Sequence, residues 1–191
     1  MIDLHPAVRR TIDVVTSVTD DQLGLPTPCP DMAVGDLIDH LGVFAVRFTD
    51  AARKDVAERT SPPPPPSGAN LEPGWRQRIE RDLVALADAW DDPHSWEGTT
   101  RAGGIEMPAE VVGLVVLDEL VVHGWDAAVA TGHPYQPPAH EVDAAMTFVS
   151  SFEAPRDGRL FGLVVPVADD APGLDRLLGL TGRDPSWQPR A

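Results

Sequence analysis

The sequence predicts an all-α domain, a helical bundle followed by a short C-terminal extension. Three observations point that way. Apolar residues recur at helical spacing through several long segments, proline-rich or glycine-marked breaks separate those segments, and 42% of the 191 residues are hydrophobic, enough to bury a real core. The expected division is a bundle over residues 1–152 and an extension over 153–191 packed on it.

In the first helix Val8, Ile12, Val15 and Val18 lie on one stripe, and Pro6 suits a first turn, where a missing N–H is no loss. Prolines 26, 28 and 30 make Leu25 to Met32 a fixed loop. A second helix is expected from about Ala33 to Glu58, with Val34, Leu37, Leu41, Phe44 and Phe48 on its apolar stripe. Pro62 to Pro66 reads as a stiff, extended, solvated spacer. The third helix spans about Pro73 to Trp90 through Trp75, Ile79, Leu83 and Leu86, and a turn-rich connection follows from Trp96 to Gly104. A fourth helix opens near Pro108 and stops at Thr131–Gly132, where glycine can close it and Pro134 lies just beyond. The fifth occupies about Ala139 to Phe152. In the extension, Leu160 to Val167 fits a short strand or an extended segment, and Leu174 to Leu180 fits a last short helix ending at Gly182.

Charge and composition exclude several classes of partner. A net charge of -15 and a pI near 4.5 argue against nucleic-acid backbones and anionic membranes. Lys54 is the sole lysine among many arginines, a usage that fits a high-G+C bacterial genome. Cys29 is the single cysteine, so an intramolecular disulfide is excluded and a reducing cytoplasm is the expected compartment. Met1 to Pro6 has no basic start leading into an apolar run, so no signal peptide is expected. The Val111 to Val122 stretch is interrupted by Asp118 and Glu119 and is too short to span a bilayer. A homodimer through exposed bundle faces is compatible with the sequence, although no pattern specifies one.

Chemistry concentrates in Glu119 and His123. Four residues is about one helical turn, so both side chains leave one face of an otherwise apolar helix. A carboxylate and an imidazole among Val and Leu need a partner, and a divalent cation is one. His40, on the stripe of the second helix, supplies another imidazole. His40, Glu119 and His123 together would leave one coordination position for water or substrate, a donor set suited to zinc and acceptable to nickel. Spacing alone leaves two other readings open: a hydrogen-bonded core histidine at 40, and a simple i,i+4 charge pair at 119 and 123.

Three stretches carry a resemblance: Thr27-Pro28-Cys29-Pro30-Asp31-Met32-Ala33-Val34, Asp36-Leu37-Ile38-Asp39-His40-Leu41, and Asp118-Glu119-Leu120-Val121-Val122-His123-Gly124-Trp125-Asp126 with Ala130-Thr131-Gly132. With them, over about residues 5 to 152, the chain resembles the N-terminal domain of the mycothiol-dependent maleylpyruvate isomerases, within the DinB-like metal-binding superfamily. Its tail, Asp175 to Pro185, is similar to the ending of an actinobacterial metal-binding branch. The resemblance implies a DinB-like four-helix bundle and assigns the metal to His40, Glu119 and His123. It also implies mycothiol, or another small thiol, as a metal-activated nucleophile toward an electrophilic substrate. Met32 stands where the family pattern commonly has Trp, and the tail is too short for the full C-terminal domain of the isomerase.

Around the trio, Asp36 and Asp126 are candidates to accept imidazole N–H bonds. Cys29, between two prolines and without basic neighbours in sequence, reads as an apolar loop filler. His5, His94, His133 and His140 fall in loops or at helix ends, and Arg47 and Arg53 read as surface residues. A metal- and thiol-dependent transferase or isomerase competes with a non-catalytic metal-binding or structural helical module.

Overall fold

A computed structural model describes residues 1–55, 64–151 and 161–189, and these are mainly helical. The helices are α1 (His5–Ser17), α2 (Val34–Ala52), α3 (Trp75–Trp90), α4 (Ala109–Thr131), α5 (Ala139–Ser151) and α6 (Gly173–Leu180). α1 packs on α3 and α4, and α2 packs on the same two helices. α5 lies against α4, and α6 against α5. Ile38, Leu41, Ile79, Leu83, Leu86, Leu117 and Leu120 are fully buried between these helices. From Val116 to Ala128 nearly every α4 residue is buried, which makes α4 the axis of the assembly rather than an amphipathic outer helix. Among the described residues no helix is long and apolar enough to cross a membrane.

Helix ends follow local chemistry. Pro6 sits in the first turn of α1, and Gly132 closes α4 with φ 76° while its N–H donates to the Ala128 carbonyl. α2 ends at Ala52, six residues before the expected Glu58. Lys54 turns left-handed there (φ 58°), and the Ala51 carbonyl is taken by the Lys54 N–H and by the Thr100 hydroxyl at 2.6 Å. A tertiary partner thus satisfies a carbonyl that would otherwise have kept the helix going.

The all-α expectation needs one correction. The connection after Trp96 contains an antiparallel hairpin, β1 (Thr99–Ala102) paired with β2 (Ile105–Pro108). Gly103 and Gly104 both have positive φ, 58° and 83°, the geometry of a two-residue turn whose twist matches paired strands. Of the expected Leu160 to Val167 segment, Leu160 lies outside the described residues, and Phe161 to Val167 is extended rather than a strand. It is hydrogen-bonded to the end of α6 and the turn after it, Gly162 N–H to Thr181 and Val165 N–H to Gly179. Pro62 and Pro63 lie outside the described residues, as does Phe152 at the expected end of the fifth helix; Pro64 to Pro66 have no regular structure.

Close approaches fix how α4 is seated. A Cβ on Gly113 would overlap the six-membered ring of Trp96, whose indole N–H donates to the Trp90 carbonyl at 2.7 Å. That bond leaves the ring little freedom to retreat. Gly113→Ala is therefore expected to destabilise the protein by about 1–3 kcal/mol, the usual range for overpacking. Thermal unfolding would read this as a Tm lowered by about 2–4 °C per kcal/mol. An unchanged Tm would show that Trp96 moves aside without loss.

Candidate metal centre

His40, Glu119 and His123 converge where α2 crosses α4. Leu37, Ile38 and Leu41 bury the stripe around His40, and Leu117, Leu120 and Val121 do the same beside Glu119. Glu119 Oε2 lies between the two imidazoles, 3.0 Å from His40 Nε2 and 3.2 Å from His123 Nε2. The rings meet edge to face, with centroids 4.9 Å apart. One ligand atom from each of the three residues lies within 4.8 Å of the other two. Solvent reaches one side: the side chains of His40 and Glu119 are 29% and 25% exposed, that of His123 only 10%.

His123 is held from behind. Its Nδ1 is 3.0 Å from Oδ2 of Asp126, a fully buried carboxylate three residues on in α4. Arg183, from the turn after α6, donates to both oxygens of Asp126, Nη2 to Oδ2 at 3.0 Å and Nε to Oδ1 at 3.4 Å. This carboxylate–imidazole pairing at Nδ1 leaves Nε2 directed toward Glu119 and His40, as in sites where an outer carboxylate orients a histidine ligand. Asp36, the other candidate orienting group, is used elsewhere. Its oxygens accept the Ala33 N–H at 3.0 Å and the Gly68 N–H at 2.7 Å, capping α2 and fastening the segment after the prolines.

The electrostatics follow from this geometry. Burial alone would raise the Glu119 carboxyl, but the His123 charge and hydrogen bonds from both imidazoles hold it well below the ordinary carboxylate range. Burial would lower His123; the Glu119 charge and hydrogen bonds to Asp126 and Glu119 overcome it and push the imidazole up to about 9. Donation from both ring nitrogens matches that protonated form. Two imidazoles and an ionised carboxylate, with Nδ1 of one ring anchored, are a donor set that fits zinc.

A second cluster overlaps the first: Cys29, His123 and Asp126 also bring ligand atoms within 4.8 Å of one another. A cation already sits there, because Arg183 spans both Asp126 oxygens. Burial pushes the Cys29 thiol up to about 11, against the pull of Arg183, so it is poorly suited to act as a nucleophile. Glycine at 124, next to His123, has a steric cause. A Cβ there would overlap the Tyr135 phenol, whose hydroxyl donates to the Leu120 carbonyl at 2.9 Å. His133 is turned away from the centre, toward Ser17 and Thr131. Arg183 is the residue that sequence reasoning did not find, since 57 positions separate it from Asp126 and no local pattern links them.

Comparison with known proteins gives a consistent picture. The family model described as the mycothiol maleylpyruvate isomerase N-terminal domain matches residues 4–128, a span that includes His40, Glu119, His123 and Asp126. Two uncharacterized proteins, from two strains of Mycobacterium tuberculosis, are each 28% identical over 176 residues, covering 89% of this chain and 90% of theirs. No solved structure matches the chain.

Proposed function

Because the chain belongs to the mycothiol maleylpyruvate isomerase N-terminal domain family, we propose that His40, Glu119 and His123 hold a divalent metal, zinc in preference to nickel. In this reading α1 to α4 form a DinB-like four-helix bundle, residues 1–152 are the metal-binding unit and 153–191 an extension upon it. The observation that carries the proposal is the shared Glu119 Oε2, within 3.0 and 3.2 Å of two Nε2 atoms, while Asp126 occupies the far nitrogen of the inner ring. A purely structural ion pair does not require that second anchoring.

When bound, such a metal supplies a lowered pKa to a coordinated thiol or water. The protein's own groups do the rest. Glu119 brings one negative charge between the two rings, and Asp126 keeps the His123 Nδ1 proton from the coordinating side. His40 and Glu119, the more exposed pair, form the side from which a ligand can enter. A small-molecule thiol such as mycothiol, acting on an electrophile in a transferase or isomerase-like reaction, is the use this reading favours. The proposed setting is the cytoplasm, with neither nucleic acid nor membrane as partner. A three-residue donor set supports catalysis over a closed structural site, which ordinarily has four protein ligands.

Metal analysis tests the proposal. Purified, tag-free protein is expected to carry or take up close to one equivalent of zinc, and His40→Ala to lose it with its circular dichroism unchanged. Absence of uptake after addition of Zn²⁺ or Ni²⁺ would leave a helical module with a hydrogen-bonded polar trio.

A further inference from the structure

We infer that Arg183 is a positioning residue for the metal centre: through Asp126 it sets the orientation of His123, so the C-terminal extension completes a site whose ligands all lie on α2 and α4. The inference rests on the metal reading above. Arg183 is 7% exposed. Among the described residues its guanidinium donates two hydrogen bonds to Asp126 and one from Nη1 to the Thr181 carbonyl at 2.9 Å. Its backbone N–H donates to the Leu178 carbonyl at 2.8 Å, so the residue is held both at its backbone and at its guanidinium.

The turn that aims it is equally specific. Gly182 has φ 88°, and a Cβ at that position would come within 2.7 Å of Gly162 Cα. Only glycine fits such a backbone crossing with positive φ. The arginine fork then matches the carboxylate and fixes its plane, a two-pronged contact that lysine cannot reproduce. With Oδ1 and Oδ2 both held, Oδ2 faces His123 Nδ1 in one orientation and the imidazole has one preferred setting. Removing the fork leaves the Asp126 side chain free to rotate, and the ring with it.

A double-mutant cycle on the whole chain decides the matter, with zinc affinity measured by chelator competition and the Co²⁺-substituted visible spectrum as a second readout. Arg183→Gln is expected to weaken zinc by about tenfold, the lower end of the loss seen for outer partners of metal ligands, and to shift the cobalt bands. In an Asp126→Asn background the same change is expected to add nothing. Arg183→Lys, which keeps the charge without the fork, is expected to fall between, and it carries the cycle if Arg183→Gln does not fold. An equal loss in both backgrounds, or no loss in either, would overturn the inference and assign Arg183 to packing of the extension alone. Wild-type protein that binds no zinc would overturn the metal reading itself, and this inference with it.

Discussion

Glu119→Gln is expected to abolish stoichiometric zinc binding while leaving the helical content in place. Glutamine keeps the size and one carbonyl oxygen of the side chain but removes the carboxylate that, among the described residues, touches both imidazoles. Loss of an outer partner of a metal ligand costs about 10–100-fold in affinity, and loss of a charged ligand itself should exceed that. Glu119 is also the group that holds the His123 proton most strongly. In the metal-free variant, His123 should therefore titrate well below about 9, which histidine NMR would follow directly. Zinc retained at wild-type affinity in Glu119→Gln would exclude Glu119 as a ligand.

The second large effect is on pH dependence. Zinc affinity is expected to climb roughly tenfold per pH unit up to about pH 9, because coordination must displace the His123 proton. An ordinary histidine would level off near 6.5, its unperturbed value. Metal-free stability should run the other way. The folded-state pKa of His123 is raised, so its contribution is complete below 6.5 and is lost as the pH rises through about 9. Zinc, by contrast, is expected to stabilise the fold more as its affinity increases. Thermal melts between pH 6.5 and 9, with and without zinc, should therefore diverge steadily. Parallel melts would show that no proton is exchanged for metal at His123.

Much of the helical fold and of the convergence of the three side chains was legible in the sequence because the signals are local. The four-residue step from Glu119 to His123 and the stripe carrying His40 are periodic features, and the stop at Gly132 needs one residue with freedom at positive φ. What escaped depends on distant contacts. Thr100 ends α2 from 49 residues away, so apolar spacing beyond Ala52 could not mark the boundary. The hairpin was within reach: Gly103–Gly104 between Thr99–Ala102 and Ile105–Pro108 is a recognisable two-residue turn, but the strands are only four residues long and mostly exposed, with little alternation to betray them. Asp36 and Asp126 looked alike as helix carboxylates. Their roles separate only once Gly68 is folded back onto one and Arg183 onto the other.

The line from His40 through Glu119, His123 and Asp126 to Arg183 also has an order in time. Its links close loops of 79 and 57 residues, joined by steps of four and three within α4. During synthesis α2 and α4, which carry His40, Glu119 and His123, emerge before Arg183 leaves the ribosome. The nascent chain can thus bring the trio together while the inner histidine is still unclamped, and the link to Arg183 is made by a segment translated later. The convergence of the trio and the anchoring of its inner histidine are, on this topology, two events whose residues lie 57 positions apart in the chain.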